Sequence, residues 1–282
     1  ALVFAMHSVT EGLRGDLNLT IAICVIAVAA IVAFVWRSLR TDRPIIPFRA
    51  FNNRKVITVL VVGTLGGASI FPLTGYVPTL LQMAYGVPAW LAGLSLVPLV
   101  AGVLFANIFS TRRLSRHGQY RNYYLAGLII AALAMFGVYA FIKPGGVWVE
   151  VIGLGLVGLG QGFFGQFTVT LAQAFSESKF LGSVTSTVMV ARDVSSTVVA
   201  TFAGGIFGFG VSSALSKLAL PEMLRGISLQ PSDVAGLTEP LKGQVQDAYL
   251  SAFHPIFLNS AVTFTLILLL ALTLPKVALK AK

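Results

Sequence analysis

Acids and cysteines are what this sequence has least of. Ten Asp and Glu residues are spread over 282 positions, and Cys24, inside an apolar run, is the single cysteine. An internal disulfide is therefore excluded, and the redox compartment cannot be read from thiol chemistry. The histidines His7, His117 and His254 are too scattered in sequence to suggest a metal site. No HExxH, GxSxG or P-loop occurs, and no paired acids flank a plausible lumen, so the expectation is a protein that is not an enzyme and carries no cofactor. Lys and Arg number 20, giving a net charge of +10, but their placement argues against nucleic acid: 14 fall in four segments and one more, Arg192, is buried in an apolar span. No basic, aromatic-lined surface is left over.

What is abundant is apolar. Hydrophobic residues make up 56% of the chain, charged residues 11%, and the mean hydropathy is +0.86. That is an all-α polytopic membrane protein rather than a soluble domain with a large core. The chain opens on ALVFAMH without initiator Met or signal-peptide pattern, which reads as the end of a helix that starts elsewhere. Complete spans are expected at 17–36, 56–83, 90–110, 122–142, 147–174, 181–210 and 253–274. The intervening segments alternate in charge. Residues 37–55, 111–121, 175–180 and the tail 276–282 hold 14 cations and two acids, whereas the opposite loops hold five cations and seven acids, counting Glu150. The positive-inside rule places the first set, with the C-terminus, in the cytoplasm, and the expected location is the plasma (inner) membrane. The long outer loop, 211–252, is expected to end in an amphipathic helix on or near the outer interface, either a packing element or a lid over an exit path, since Leu241, Val245, Ala248, Tyr249 and Ala252 recur at helical spacing. His254, at the mouth of the last span, is a group that either titrates near neutral pH or simply packs.

The span 181–210 carries the most information. Arg192 and Asp193 lie roughly 16 Å into it at about 1.5 Å per residue, near the bilayer midplane, where each charge costs at least ~3 kcal/mol. Neither is expected to face lipid. Adjacent helical residues point about 100° apart, so the two are not expected to pair as an i, i+4 couple would. Ser186, Asp193, Thr197, Thr201, Gly204 and Gly208 form a small, polar stripe of the kind that packs helices closely. Two readings stay open: a structural pair held by carbonyls and hydroxyls, or a proton-relay site. With no ATP-binding motif, any transport would draw on an ion gradient, with Asp193 as the deepest acid and Glu150, at the outer end of its span, as the alternative.

Other spans supply candidates for a cavity. Gly153, Gly155, Gly158, Gly160, Gly162 and Gly165 crowd one span, which marks a close helix contact, and Gln161 and Gln166 in that span must bond within the bundle or project into a cavity. Phe71, Tyr76 and Gln82 sit beside Pro72 and Pro78, which can bend their helix. Aromatic faces with a few amides suit a pocket for apolar or cationic organic molecules.

The loop STRRLSRHGQYR resembles the loop between the second and third helices of a major facilitator superfamily half, with Leu114, Arg116, Gly118 and Arg121 fitting its pattern and Ser110 and Ser115 departing from it. The ordered set PIIPFRAFNNRK, YVPTLLQMAYGVPAWLAGLSLVPLVAG, GLGLVGLGQG, LGSVTSTVMVARD and AYLSAFHPIFLNSA resembles the second half of EmrB/QacA-type multidrug:proton antiporters with fourteen transmembrane segments. The resemblance implies that residues 1–55 hold the end of one linker helix, the second linker helix and a basic cytoplasmic loop. Residues 56–275 would be the C-terminal six-helix bundle, followed by the tail. It further implies alternating access against an N-terminal six-helix bundle missing from this chain, with lipid and small organic substrates as the other partners and a proton gradient as the driving force. On the residues themselves rather than the resemblance, Asp193 would exchange protons and Arg192 would tune it. Gln161, Gln166, Phe71, Tyr76 and Gln82 would line the cavity, and Arg112, Arg116, Gly118 and Arg121 would belong to the gating loop. Export of an endogenous lipid or siderophore, or a non-transporting membrane remnant, are the alternatives.

Overall fold

The computed structural model describes residues 54–117, 120–174, 176, 180–218 and 230–274, together with Val25, Ile26, Ala29, Ala33, Trp36 and Arg37, all six of which are helical. The expected N-terminal stub, much of the expected span 17–36, and the tail lie outside the described residues. Within them the chain is helical, with no strand.

Six helices are long and apolar enough to cross a membrane: α1 (Val56–Tyr85), α2 (Ala89–Arg112), α3 (Arg121–Lys143), α4 (Gly145–Ala174), α5 (Leu181–Leu215) and α6 (Leu241–Ala271). Together they make a multi-pass membrane protein, and their bounds fall within a few residues of the spans read from sequence, except at α6. There the amphipathic segment does not lie apart on the interface. It is the first part of α6, which runs unbroken through Pro255 for 31 residues, about 46 Å and so longer than a ~30 Å hydrocarbon core. Val245, Ala248 and Tyr249 are buried; of the two readings it is the packing element, its apolar face turned toward the bundle.

Proline and glycine set the breaks. In α1 the helix is interrupted between Ala68 and Phe71. Pro72 lacks the N–H that would bond the Ala68 carbonyl. Pro78, by contrast, sits inside the second stretch without ending it. Gly86 closes α1 in the left-handed conformation, φ 66°. Between α3 and α4 the chain reverses at Gly146, whose φ of 59° and ψ of −151° belong to a region that essentially only glycine occupies.

Helix α4 is the centre of the packing because its glycines face two ways. Gly155, Gly158 and Gly162 lie at i, i+3, i+7 and meet α2: a Cβ on Gly158 would overlap the Leu99 carbonyl, and one on Gly162 would stand 2.5 Å from the Val103 carbonyl oxygen. Gly153 and Gly160, seven apart, meet α3, where a Cβ on Gly160 would come within 2.5 Å of the Gly127 carbonyl oxygen. Such backbone-to-backbone approach drives association in lipid, where apolar side chains gain little by leaving the bilayer. On the third side Phe164, fully buried, packs edge-on to Tyr124 of α3 and Phe264 of α6, and it fills the space left by Gly66 of α1. Helix α5 packs on α1 and α6, and among the described residues one long face of it is left uncovered.

Candidate functional site

The uncovered side of α5 borders a polar cleft. Helix α1 contributes Gly63, α4 contributes Gln161, Gly165, Thr168 and Val169, and α5 contributes Val188, Met189 and Arg192, around a small opening. Each polar group is placed by a small neighbour. A Cβ on Gly67 would fall 2.6 Å from Cγ and Cδ of Arg192, so the glycine lets the arginine stem lie across α1. Gly63 likewise makes room for Thr168. The Thr168 hydroxyl donates to its own helix, to the Phe164 carbonyl at 3.2 Å, and lies 3.5 Å from the Tyr124 hydroxyl. Gln161 stands apart: its Oε1 is buried and has no hydrogen-bond partner among the described residues. The cleft therefore offers a guanidinium and an unused amide acceptor within apolar walls.

The structure corrects the expectation for Arg192 and Asp193. They do meet, Arg192 Nε lying 3.8 Å from Asp193 Oδ1, with 50% and 75% of the side chains exposed within this chain. With its stem laid across α1 the arginine still brings Nε toward the adjacent carboxylate, and at this length the contact is an ion pair without bidentate hydrogen bonds. The nearby hydroxyls do not serve the Asp193 carboxylate. Ser196 and Thr197 donate to the Asp193 backbone carbonyl, at 2.8 and 3.0 Å. Of the small-residue stripe, Gly204 meets the Tyr76 hydroxyl, whereas Gly208 faces open space.

The remaining candidates separate. Glu150, the alternative acid, is 1% exposed, and its Oε1 has no hydrogen-bond partner among the described residues. Tyr76 locks helices together, donating to the Ala200 carbonyl at 3.2 Å and touching the Phe207 ring. Gln82 donates to the Pro78 carbonyl of its own helix at 3.1 Å, and Phe71 is 54% exposed, so neither lines the cleft. Arg121 reaches across to the last turn of α6, donating from Nη2 to the Leu272 carbonyl at 3.0 Å. It thereby satisfies a helix-end acceptor and complements the helix dipole. Arg112 is exposed. The side chains of Gln166 and Arg116, and Gly118 altogether, lie outside the described residues. His254 packs: its ring lies 4.0 Å from that of Tyr139, with Nε2 2.9 Å from the Tyr139 carbonyl.

Sequence reasoning missed a second opening. Ser69 and Pro72 at the α1 break, Val199, Ala203 and Ile206 of α5, and Asn259, Ser260 and Thr263 of α6 surround it. Its signal was present as an amide, Asn259, and three hydroxyls, Ser260, Thr263 and Thr265, in the otherwise apolar run from Phe257 to Leu270.

Over 260 residues, 90% of this chain, the sequence is 27% identical to an uncharacterized MFS-type transporter of Mycobacterium tuberculosis. The likeness is to major facilitator transporters. Multidrug transporter protein MdtP of Bacillus subtilis is 21% identical over 84% of the chain, and efflux pump notK of an Aspergillus species 22% identical over 88%. No family model matches. The chain spans 37% of the mycobacterial relative and 43% and 45% of the other two. These relatives are transporters and efflux pumps rather than enzymes, and they support membership of the major facilitator superfamily.

Proposed function

We propose that this chain is the C-terminal portion of a proton-coupled exporter of amphipathic or cationic organic compounds, of the EmrB/QacA type with fourteen spans. The observation that carries the reading is the polar cleft between α1, α4 and α5, opening beside an ionisable pair on the uncovered face of α5. Intramembrane charges of this kind mark transport and proton-relay sites. Efflux pumps and multidrug transporters among the relatives support the same direction.

In this reading the uncovered face of α5 is turned toward an N-terminal bundle, and substrate binds between the two near Gln161 and Arg192. Asp193 exchanges protons beside the balancing charge of Arg192. The charge asymmetry of the loops supports placing the C-terminus and the loop around Arg112 in the cytoplasm of a plasma-membrane protein. The test is proton-gradient-driven efflux of a cationic dye from vesicles, comparing the full-length parent with this chain alone. Activity confined to the parent is expected; activity of the chain alone would refute the half-site account. In the parent, Asp193→Asn should abolish gradient-driven export while dye binding persists. Unchanged export would remove Asp193 from the coupling step.

A further inference from the structure

Glu150 is buried by design of the turn that precedes it. Gly146 reverses the chain with its positive φ, and Glu150 follows four residues later, about 6 Å or one turn into α4. Tyr85, at the end of α1, lies at the same end of the bundle. The Tyr85 hydroxyl is turned to another partner, donating to the Ile142 carbonyl of α3 at 2.9 Å. The other titratable groups at this end of the bundle, among the described residues, are Tyr139 and Lys143 on α3, Asp233 and Glu239 ahead of α6, and Lys242, Asp247, Tyr249 and His254 on α6. Tyr139 and His254 are engaged with one another, and Lys143 and Asp247 are exposed. The carboxyl is thus enclosed at 1% exposure with one oxygen lacking a hydrogen-bond partner among the described residues. Burying a polar atom without a partner costs a few kcal/mol, and burying an isolated carboxylate costs far more. A purely structural acid would be expected to have its acceptors filled.

We propose that Glu150 is a proton-binding site separate from the Arg192–Asp193 pair, protonated while the Tyr85–Ile142 end of the bundle is packed and ionised when that end opens. The site sits at the end of the bundle away from the Arg121–Leu272 contact, so opening there would hydrate Glu150 first. Its coupling role rests on the proton-driven reading above, whereas its protonation does not.

The test uses this chain in lipid. Infrared difference spectra across a pH titration should show a protonated-carboxyl carbonyl band that is lost in Glu150→Gln and retained in Asp193→Asn. Independently, a hydrophobic carbodiimide should modify unaltered Glu150, identified by peptide mass spectrometry, with a rate that falls at least tenfold as pH is raised through the same titration. A carbonyl band that survives Glu150→Gln, or an unaltered chain that resists the carbodiimide at every pH, would overturn the site. If the site titrates while the parent shows no gradient-driven efflux, the exporter reading fails and the site stands. If efflux is present and neither signal appears at Glu150, the site fails and the exporter reading stands.

Discussion

Replacing Gly162 with alanine isolates the contact on which the bundle turns. The added Cβ would lie 2.5 Å from the Val103 carbonyl oxygen and 2.6 Å from the Ala106 Cβ. Comfortable contact needs roughly 3.5 Å or more, so α2 and α4 must part by about 1 Å along that seam. Alanine also favours the helix over glycine by about 1 kcal/mol, which masks part of the cost. Gly137→Ala supplies the correction, because a Cβ there meets nothing within 4 Å and gains the propensity alone. The difference between the two variants should then be the overpacking cost, about 1–3 kcal/mol against Gly162. Reversible unfolding by SDS titration in mixed micelles, followed by tryptophan fluorescence, measures it. Val103→Ala should not rescue Gly162→Ala, since the obstacle on that side is a main-chain carbonyl. Equal stabilities for the two glycine variants, or rescue by Val103→Ala, would refute the claim that backbone contact holds α2 to α4.

Three further outcomes follow from the geometry. Tyr76→Phe removes the bond to the Ala200 carbonyl and should cost about 1 kcal/mol in the same unfolding assay. Arg121→Gln should speed amide hydrogen exchange in the last turn of α6, where the Leu272 carbonyl loses its donor, and a protection pattern unchanged at that turn would contradict the cap. Gln161→Leu should move two observables in opposite directions. Removing a buried acceptor without a partner should leave stability equal or higher, while dye affinity should fall about fivefold, the equivalent of one hydrogen bond.

Much of the bundle was legible because the bilayer imposes one strong rule. A helix that satisfies its own backbone needs about twenty apolar residues, and the runs starting near Val56, Trp90, Asn122, Val147 and Leu181 announce themselves by length. The α4 glycines were equally readable as a contact, since nothing else explains so many in one span. Gln161 was legible as an amide needing a partner or a cavity, but the sequence held no sign that Arg192 would border the same opening. That meeting depends on Gly67 clearing a path for the arginine stem, which is a property of two helices together.

Composition and periodicity alone therefore determined the class of protein, the span count over the described residues and the presence of deep ionisable groups, because each is a local cost that a single helix bears in lipid. Tertiary structure decided which acid is enclosed and which is uncovered. Asp193, deep along its own helix, lies on a face that no neighbour among the described residues covers; Glu150, one turn from a helix end, is sealed by the packing around α4. Depth in the membrane follows from counting residues, but burial depends on which helices lie alongside, and one-dimensional patterning does not carry that information.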